Sequence, residues 1–330
     1  MTVPAPVATP VPTLVPATAR PRVAVVGGGQ SCEHAVSIAS AAAVADALDP
    51  AVYDVVRLTI ATDGGWHHAD RALDLGEAVS LLQTCAVVLP VVHGPRGEDG
   101  TLAALCELAG VAYVGSGVGA GALAMDKWAT KLVAGALGIA TAPGLLLTAS
   151  SAATYAFTHP VVVKPVAAGS SHGVALVRDA VDLAVALDAA LALDDRVLVE
   201  DVVVGREVDV AVLGTADGGR VVSPALEVVV DGWFDHEAKY GGGADFRIPA
   251  ALDEVERKAL EEAALAVYDA LGCAGVARVD FFVTADGLVL NEVNTMPGFT
   301  EQSQVPKMFA AAGLSYADLL DRLVRDVLSV

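Results

Sequence analysis

Apolar runs and Ala-rich stretches alternate along this chain. Arg22–Val26 is β-branched and is followed by Gly27-Gly28-Gly29. Ser31 to Leu48 is Ala-rich and closes at Asp49-Pro50, and Tyr53–Ile60 is apolar again. Runs of this kind bounded by Gly and Pro predict strand, turn, helix, strand. A further strand, Ala86–Val92, ends in the loop His93-Gly-Pro-Arg-Gly-Glu-Asp-Gly100. A helix over Thr101–Ala109 and a short strand, Ala112–Gly115, follow. Strands alternating with helices predict a parallel α/β domain over residues 21–115. Pro160–Lys164 and Val197–Glu200 read as strands around a Gly/Ser loop and a helix, Ala180–Ala192, which suggests a smaller α+β unit over 116–200. The remaining unit, 201–330, opens with the strand Glu207–Leu213 and a long loop from Asp231 to Arg247. It continues with a helix, Asp253–Leu271, a hairpin of Val276–Val283 and Leu288–Val293, and a terminal helix from Ser315.

Hydrophobic residues make up 54% of the 330 and charged residues 18%. That is ample for two or three cores and too apolar for a disordered chain. The mean hydropathy of +0.56 raises the question of a membrane, but no apolar run reaches spanning length without a charge, Gly or Pro. The uncharged stretch Thr2 to Ala19 carries Pro4, Pro6, Pro10, Pro12 and Pro16, so residues 1–20 read as a disordered leader. A net charge of −20 repels nucleic acid and anionic lipid, so neither is an expected partner. Cys32, Cys85, Cys106 and Cys273 show no C-x-x-C spacing and are expected as buried free thiols in a reducing cytoplasm.

The hairpin carries the most chemistry. Strand alternation makes Arg278 and Asp280 share one face of their strand, and Glu292 and Asn294 likewise share one face of theirs. A three-residue loop, Ala285-Asp286-Gly287, then sets Asp280 opposite Glu292 and Arg278 opposite Asn294. Facing carboxylates repel unless a cation lies between them. Two carboxylates and an amide oxygen suit Mg²⁺ with substrate phosphates; the alternative is an exposed polar sheet face. Only six lysines occur, and four of them fall in three telling segments. Lys164 ends a strand just before Gly169-Ser-Ser-His-Gly173, a loop able to clamp phosphate. Lys127 and Lys131 lie in Met125-Asp-Lys-Trp-Ala-Thr-Lys131, and Lys239 lies in the Gly-rich loop His236–Gly243. Glu200 and Glu207 bracket a segment that reads either as an adenosine contact or as a plain linker. Gly27-Gly-Gly-Gln-Ser-Cys-Glu-His34 lacks the dinucleotide G-x-G-x-x-G spacing, which argues against a dehydrogenase. Met296-Pro-Gly298 follows the acidic strand as either an oxyanion site or a turn.

Taken in order, these segments resemble the D-alanine–D-alanine ligase family of ATP-grasp enzymes from Arg22 to the terminal helix. The resemblance is carried by Glu33-His34 with Val36-Ser37, the 93–100 loop, Tyr113-Val-Gly-Ser116, Met125-Asp-Lys127 and Lys164-Pro165. Ser170-Ser171, Ala238-Lys-Tyr240, Arg278-Val-Asp280 and Asn291-Glu-Val-Asn-Thr-Met-Pro-Gly298 complete it. It implies an ATP-grasp fold of α/β and α+β units behind an N-terminal parallel α/β (pre-ATP-grasp) domain. Lys127, Lys164, Ser170, Ser171 and Lys239 would hold phosphates. Glu200, Val203 and Glu207 would hold adenosine, with Asn291 at the same nucleotide site. Asp280, Glu292 and Asn294 would ligate two Mg²⁺ ions, with Mn²⁺ able to substitute. Glu33 would take the first substrate's ammonium and be linked through Ser170 to Tyr240. His93 would lie near that substrate's carboxyl group. Arg278 and Gly298 would stabilise the oxyanion, and Ser303 would bind the second carboxylate. The implied activity joins two D-alanines for peptidoglycan through an acyl phosphate, in a cytoplasmic homodimer. The runner-up is a specialised dipeptide ligase with another acceptor, and a non-catalytic nucleotide-binding relative comes third. His172, Glu301, Gln302, Gln304, Phe234 and His236 depart from the family pattern on the substrate side, while Tyr240 favours an amino-acid acceptor over D-lactate.

Overall fold

The computed structural model describes residues 20–229 and 245–329. The Pro-rich leader up to Ala19 lies outside the described residues, as do Phe234, His236, Lys239, Tyr240 and Gly241–Gly243.

Three sheets organise the chain. In the first, Arg22–Gly28 pairs in parallel with both Asp54–Ile60 and Val87–Pro90, as the β-branched runs predict. Two three-residue strands, Trp66–His68 and Arg71–Leu73, extend it antiparallel. The expected helix begins at His34 rather than Ser31. The Ser31 hydroxyl instead makes a turn, accepting from the Glu33 amide and donating to the His93 carbonyl. The expected strand Ala112–Gly115 is reduced to one bridge, Val88 with Tyr113, because Gly115 (φ +109°) turns the chain away.

The central sheet is antiparallel, in the order Gly144–Thr148, Arg196–Asp201, Val161–Pro165, Ala175–Val177. The third sheet has seven strands built around Arg206–Gly214, Val276–Thr284 and Gly287–Asn294. Two parts of the chain lie elsewhere than the sequence grouping suggests. Helices Val118–Met125 and Lys127–Ala136, within the span 116–200, pack on the third sheet and its helix Glu254–Leu271. Asp245–Arg247, inside the expected loop, is a strand paired with Leu226–Val229.

Helix Glu254–Leu271 has a reciprocal start: Asp253 accepts from the Glu256 amide and Glu256 accepts from the Asp253 amide. A cap of this kind contributes about 0.5–2 kcal/mol. The helix Tyr316–Leu328 returns to the first domain, packing on His34–Ala47 and Val87–Pro90. Leu319, Leu320 and Leu323 join Val23, Val25 and Leu89 in one core, and Tyr53 Oη donates to Asp321 Oδ1 at 2.7 Å. The first and last segments of the fold are thus bound together, and the cleft between the second and third sheets is built on that base. Cys85, Cys106 and Cys273 are buried free thiols; Cys32 is exposed, contrary to expectation, because it sits on the turn before the first helix.

Candidate active site

The hairpin Val276–Thr284 with Gly287–Asn294 has the expected facing pairs, Asp280 with Glu292 and Arg278 with Asn294. The path to them differs. Gly287 pairs with Thr284, so the loop holds only Ala285 and Asp286. The missing residue returns as a β-bulge, since Phe281 pairs with Leu290 and Asp280 with Glu292, leaving Asn291 over. A bulge turns two successive side chains to one face. Asn291 and Glu292 accordingly both line the cleft, while Leu290 and Val293 go to the core on either side.

Asp209 lies opposite Asp280 on the next strand, so three acids, Asp209, Asp280 and Glu292, run across three strands. Arg278 answers this row. Its Nε and Nη2 donate to the two oxygens of Asp280 at 2.7 and 2.6 Å, and its Nη1 donates to Gln304 Oε1 at 2.6 Å. Burial works against the guanidinium charge, but Asp280 outweighs it and holds the arginine firmly protonated. Asn294 Nδ2 donates to Asp280 Oδ2 at 3.1 Å.

Beyond this row opens a cleft of about 500 Å³ between the second and third sheets. Lys127, Lys164, Ser171, Glu200, Val203 and Glu207 line it, together with Asn291 and Glu292. Lys164 Nζ meets Glu200 Oε2 at 2.6 Å, and Lys131, from the helix Lys127–Ala136, takes Glu200 Oε1. Burial pushes the Glu200 carboxyl up, yet the Lys164 and Lys131 ammonium groups overcome it and hold the group below the usual carboxylate range. Lys127 Nζ lies 3.2 Å from Glu292 Oε2 and donates to the Ala168 carbonyl at 2.8 Å. Ser170 and Ser171 are both left-handed, at φ 51° and 55°. That geometry costs on the order of 1 kcal/mol for a non-glycine residue and gathers at ligand sites.

A second, smaller cavity shares Lys127, Ala168 and Glu292 with the first and reaches Glu33, Glu98 and Asn294. Glu33 is buried. Its Oε1 accepts from the Ser170 hydroxyl, while its Oε2 has no hydrogen-bond partner among the described residues. A Cβ on Gly169 would sit 2.0 Å from that oxygen, so a larger residue there would displace the Glu33 carboxylate. His93 is engaged on both ring nitrogens, Nδ1 with the Met296 carbonyl at 2.8 Å and Nε2 with Ser40 Oγ at 3.0 Å. Burial lowers its pKa and keeps the ring neutral, as a brace for the 296–299 turn. Glu98 accepts from the Gly94 and Met296 amides at 2.8 and 3.2 Å. Burial and the Glu33 charge push its carboxyl up to about 8. Gly298 and Ser303 come together, a Cβ on the former meeting Ser303 Oγ at 3.4 Å. Ser303 precedes the helix Gln304–Ala311.

Residues 146–325 match the family described as D-ala D-ala ligase C-terminus, and residues 22–83 and 72–116 match D-ala D-ala ligase N-terminus. A D-alanine–D-alanine ligase of Nocardia farcinica is 40% identical over 94% of this chain and 98% of its own length. This chain belongs to the D-alanine–D-alanine ligase family. A second relative of that name, from Frankia casuarinae, is 41% identical, covering 93% of this chain and 96% of its own. Among solved structures, the D-Ala:D-Ser ligase VanG of Enterococcus faecalis superposes with a TM-score of 0.80 at 33% identity, over 94% of this chain and all of its own. A D-alanine–D-alanine ligase of Bacillus anthracis, complexed with ATP, gives 0.77 at 27% identity over 93% and 97%. The ATP-grasp fold expected from the sequence is therefore the fold observed, and the ligase family implies ATP, a divalent metal and small amino-acid substrates.

In this member of the ligase family the donor set fits such a metal. Among the described residues no three His, Cys, Asp or Glu side chains are placed to hold a metal ion by themselves. Asp280, Glu292 and the Asn294 amide instead provide a few oxygen ligands and leave the rest to phosphate and water, as Mg²⁺ prefers. Of the sequence-nominated residues within the described segments, ten line the two cavities; Ser170 bonds to Glu33, and Arg278 and Asp280 connect through Asn294. His93, Gly298 and Ser303 line neither cavity, and Lys239 and Tyr240 lie outside the described residues. The chemical reading of the sequence did not single out Glu98 or Asp209, and it gave Lys131 no role. The one available signal for Lys131 was its spacing of four from Lys127 on one helix. No helix among the described residues is long and apolar enough to cross a membrane.

Proposed function

We propose that this protein joins two D-alanines, with ATP converted to ADP and phosphate, to supply peptidoglycan precursor. The observation that carries this reading is the common wall of the two cavities. Lys127 and Glu292 face the lysine-lined cleft on one side and the Glu33 carboxylate on the other. Such a wall can bring a triphosphate and an amino acid together. The first substrate's ammonium would meet Glu33 Oε2, and its carboxylate would attack the γ-phosphate to give an acyl phosphate and ADP. Lys127, Lys164, Ser170, Ser171 and Lys239 would hold the phosphates, and Glu200, Val203, Glu207 and Asn291 the rest of the nucleotide. Two Mg²⁺ ions (or Mn²⁺) held by Asp280, Glu292 and Asn294 would neutralise the transferring phosphoryl group.

The second amine then attacks the acyl carbon and phosphate leaves. Arg278 and the Gly298 amide would meet the developing oxyanion, where one donor is worth about 10²–10³ in rate. Ser303, at the start of its helix, would receive the second carboxylate. His93 would act from its braced place beside the first substrate, and Tyr240 would close the link through Ser170 to Glu33. The 21–115, 116–200 and 201–330 units would form a cytoplasmic homodimer.

The test is ADP release with single and paired D- and L-amino acids. D-alanine alone should support turnover, and indifference to D-alanine overturns the reading. A second reading, with another acceptor such as D-serine, draws on the likeness to VanG, and preferential incorporation of D-serine as the second residue would favour it.

A further inference from the structure

We propose that Gln304, backed by the buried Asp209, is a positioning residue that fixes Arg278 and ties it to the helix start assigned to the second amino acid. The inference depends on the reading of Arg278 as oxyanion donor given above. Gln304 is buried and is the first residue of the helix Gln304–Ala311, directly after Ser303. Its Oε1 accepts from Arg278 Nη1 at 2.6 Å and its Nε2 donates to Asp209 Oδ2 at 2.9 Å. The amide can face only one way, because the reverse would set NH₂ against a guanidinium and C=O against a carboxylate.

Arg278 has a second anchor, the two-pronged contact with Asp280, and its Nε also lies 3.8 Å from Asp209 Oδ2. Asp280 is also a proposed metal ligand, so its oxygens are shared when the site is loaded. Gln304 is not among the residues proposed to hold the metal. It holds the guanidinium from a different edge and from an element outside the hairpin. Asp209, only 1% exposed, gives the amide its orientation; an apolar side chain at 304 would leave that carboxylate short of a donor in a buried place. The helix start assigned to the acceptor is thereby joined through one side chain to the group assigned to the oxyanion. Residue 304 accordingly sets how tightly acceptor placement and transition-state stabilisation are coupled.

Steady-state kinetics with ATP and D-alanine test this, each variant first checked by thermal melting. Gln304→Leu should lower kcat by about 10- to 100-fold and raise the KM for the second D-alanine, with the KM for ATP unchanged. Gln304→Glu alone should be as poor, since it sets two carboxylates against each other. Pairing it with Asp209→Asn reverses the bond polarity: the new carboxylate accepts from Arg278 and the new amide donates to it. The pair should recover to within about threefold of the parent, a coupling that space-filling alone would not produce. Parent-like turnover in Gln304→Leu, or a pair no better than Gln304→Glu, overturns the proposal. If Gln304→Leu does not fold, the comparison of Gln304→Glu with the pair decides. Arg278→Lys separates the two levels. Full activity there removes the oxyanion reading itself, whereas a crippled Arg278→Lys beside an unaffected Gln304→Leu removes only the role of Gln304.

Discussion

The two ends of the composite cavity handle charge in opposite ways. At the nucleotide end every lysine among the described residues is already paired: Lys164 and Lys131 share Glu200, and Lys127 leans on Glu292. At the amino-acid end Glu33 keeps one buried oxygen without a partner among the described residues, and its neighbours avoid charge, His93 as a neutral ring and Glu98 as a carboxyl with its pKa pushed up to about 8. A buried ion pair is expensive to break from one side. A triphosphate therefore enters by exchanging partners within a neutralised network. A buried carboxylate with one oxygen left unbonded among the described residues is costly as it is, so an ammonium group entering beside Glu33 relieves a deficit that already exists. Nucleotide binding should thus depend on how pairs are rearranged, and amino-acid binding on a single new contact.

The largest test removes the wall between the ends. Glu292→Ala should lower turnover by more than about 100-fold, since even outer partners of a metal ligand cost 10- to 100-fold. Circular dichroism should show the fold intact, and near-normal ADP release in that variant would break the comparison at its centre. Next, Glu33→Gln keeps the shape and discards the charge. The KM for D-alanine should rise about 10- to 100-fold, with ADP affinity by calorimetry unchanged. A parallel loss of ADP affinity would mean that the two ends are not separate.

Lys131→Met should act on the other end alone. Glu200 keeps Lys164 but loses its second cation, and the KM for ATP should rise about tenfold while that for D-alanine stays constant. The smallest effect concerns pH. A carboxyl whose folded pKa is raised above its unfolded value near 4.5 favours the folded state when protonated. The contribution of Glu98 is complete below that value and is lost as pH rises through about 8. The parent Tm should fall over this window, and Glu98→Gln, permanently uncharged, should flatten the slope. An unchanged slope would remove Glu98 from the account.

The sequence made one part of the site legible for a simple reason: strand alternation is local. Asp280 and Glu292 could be paired by counting, and the count reached the right pair even though the loop was one residue shorter than expected, because the bulge at Asn291 restores the register. The paired lysines were not legible. Lys131 and Glu200 meet only because a helix on the third sheet faces a strand of the second, and nothing local encodes that crossing. Asp209 read as one more strand residue until its neighbour across the sheet was known. The strands Trp66–His68, Arg71–Leu73 and Asp245–Arg247 are too short to show a period.

The supernumerary Asn291 has a consequence for how this segment can tolerate change in length. Loss of one codon inside a strand ordinarily rotates every later side chain to the opposite face. Here the pairs on either side, Leu290 with Phe281 and Glu292 with Asp280, would simply become consecutive. A gap at this one place would cost the enzyme a cleft amide yet leave its acids aligned, whereas loss of Leu290 or Val293 would put an asparagine where an apolar side chain now packs.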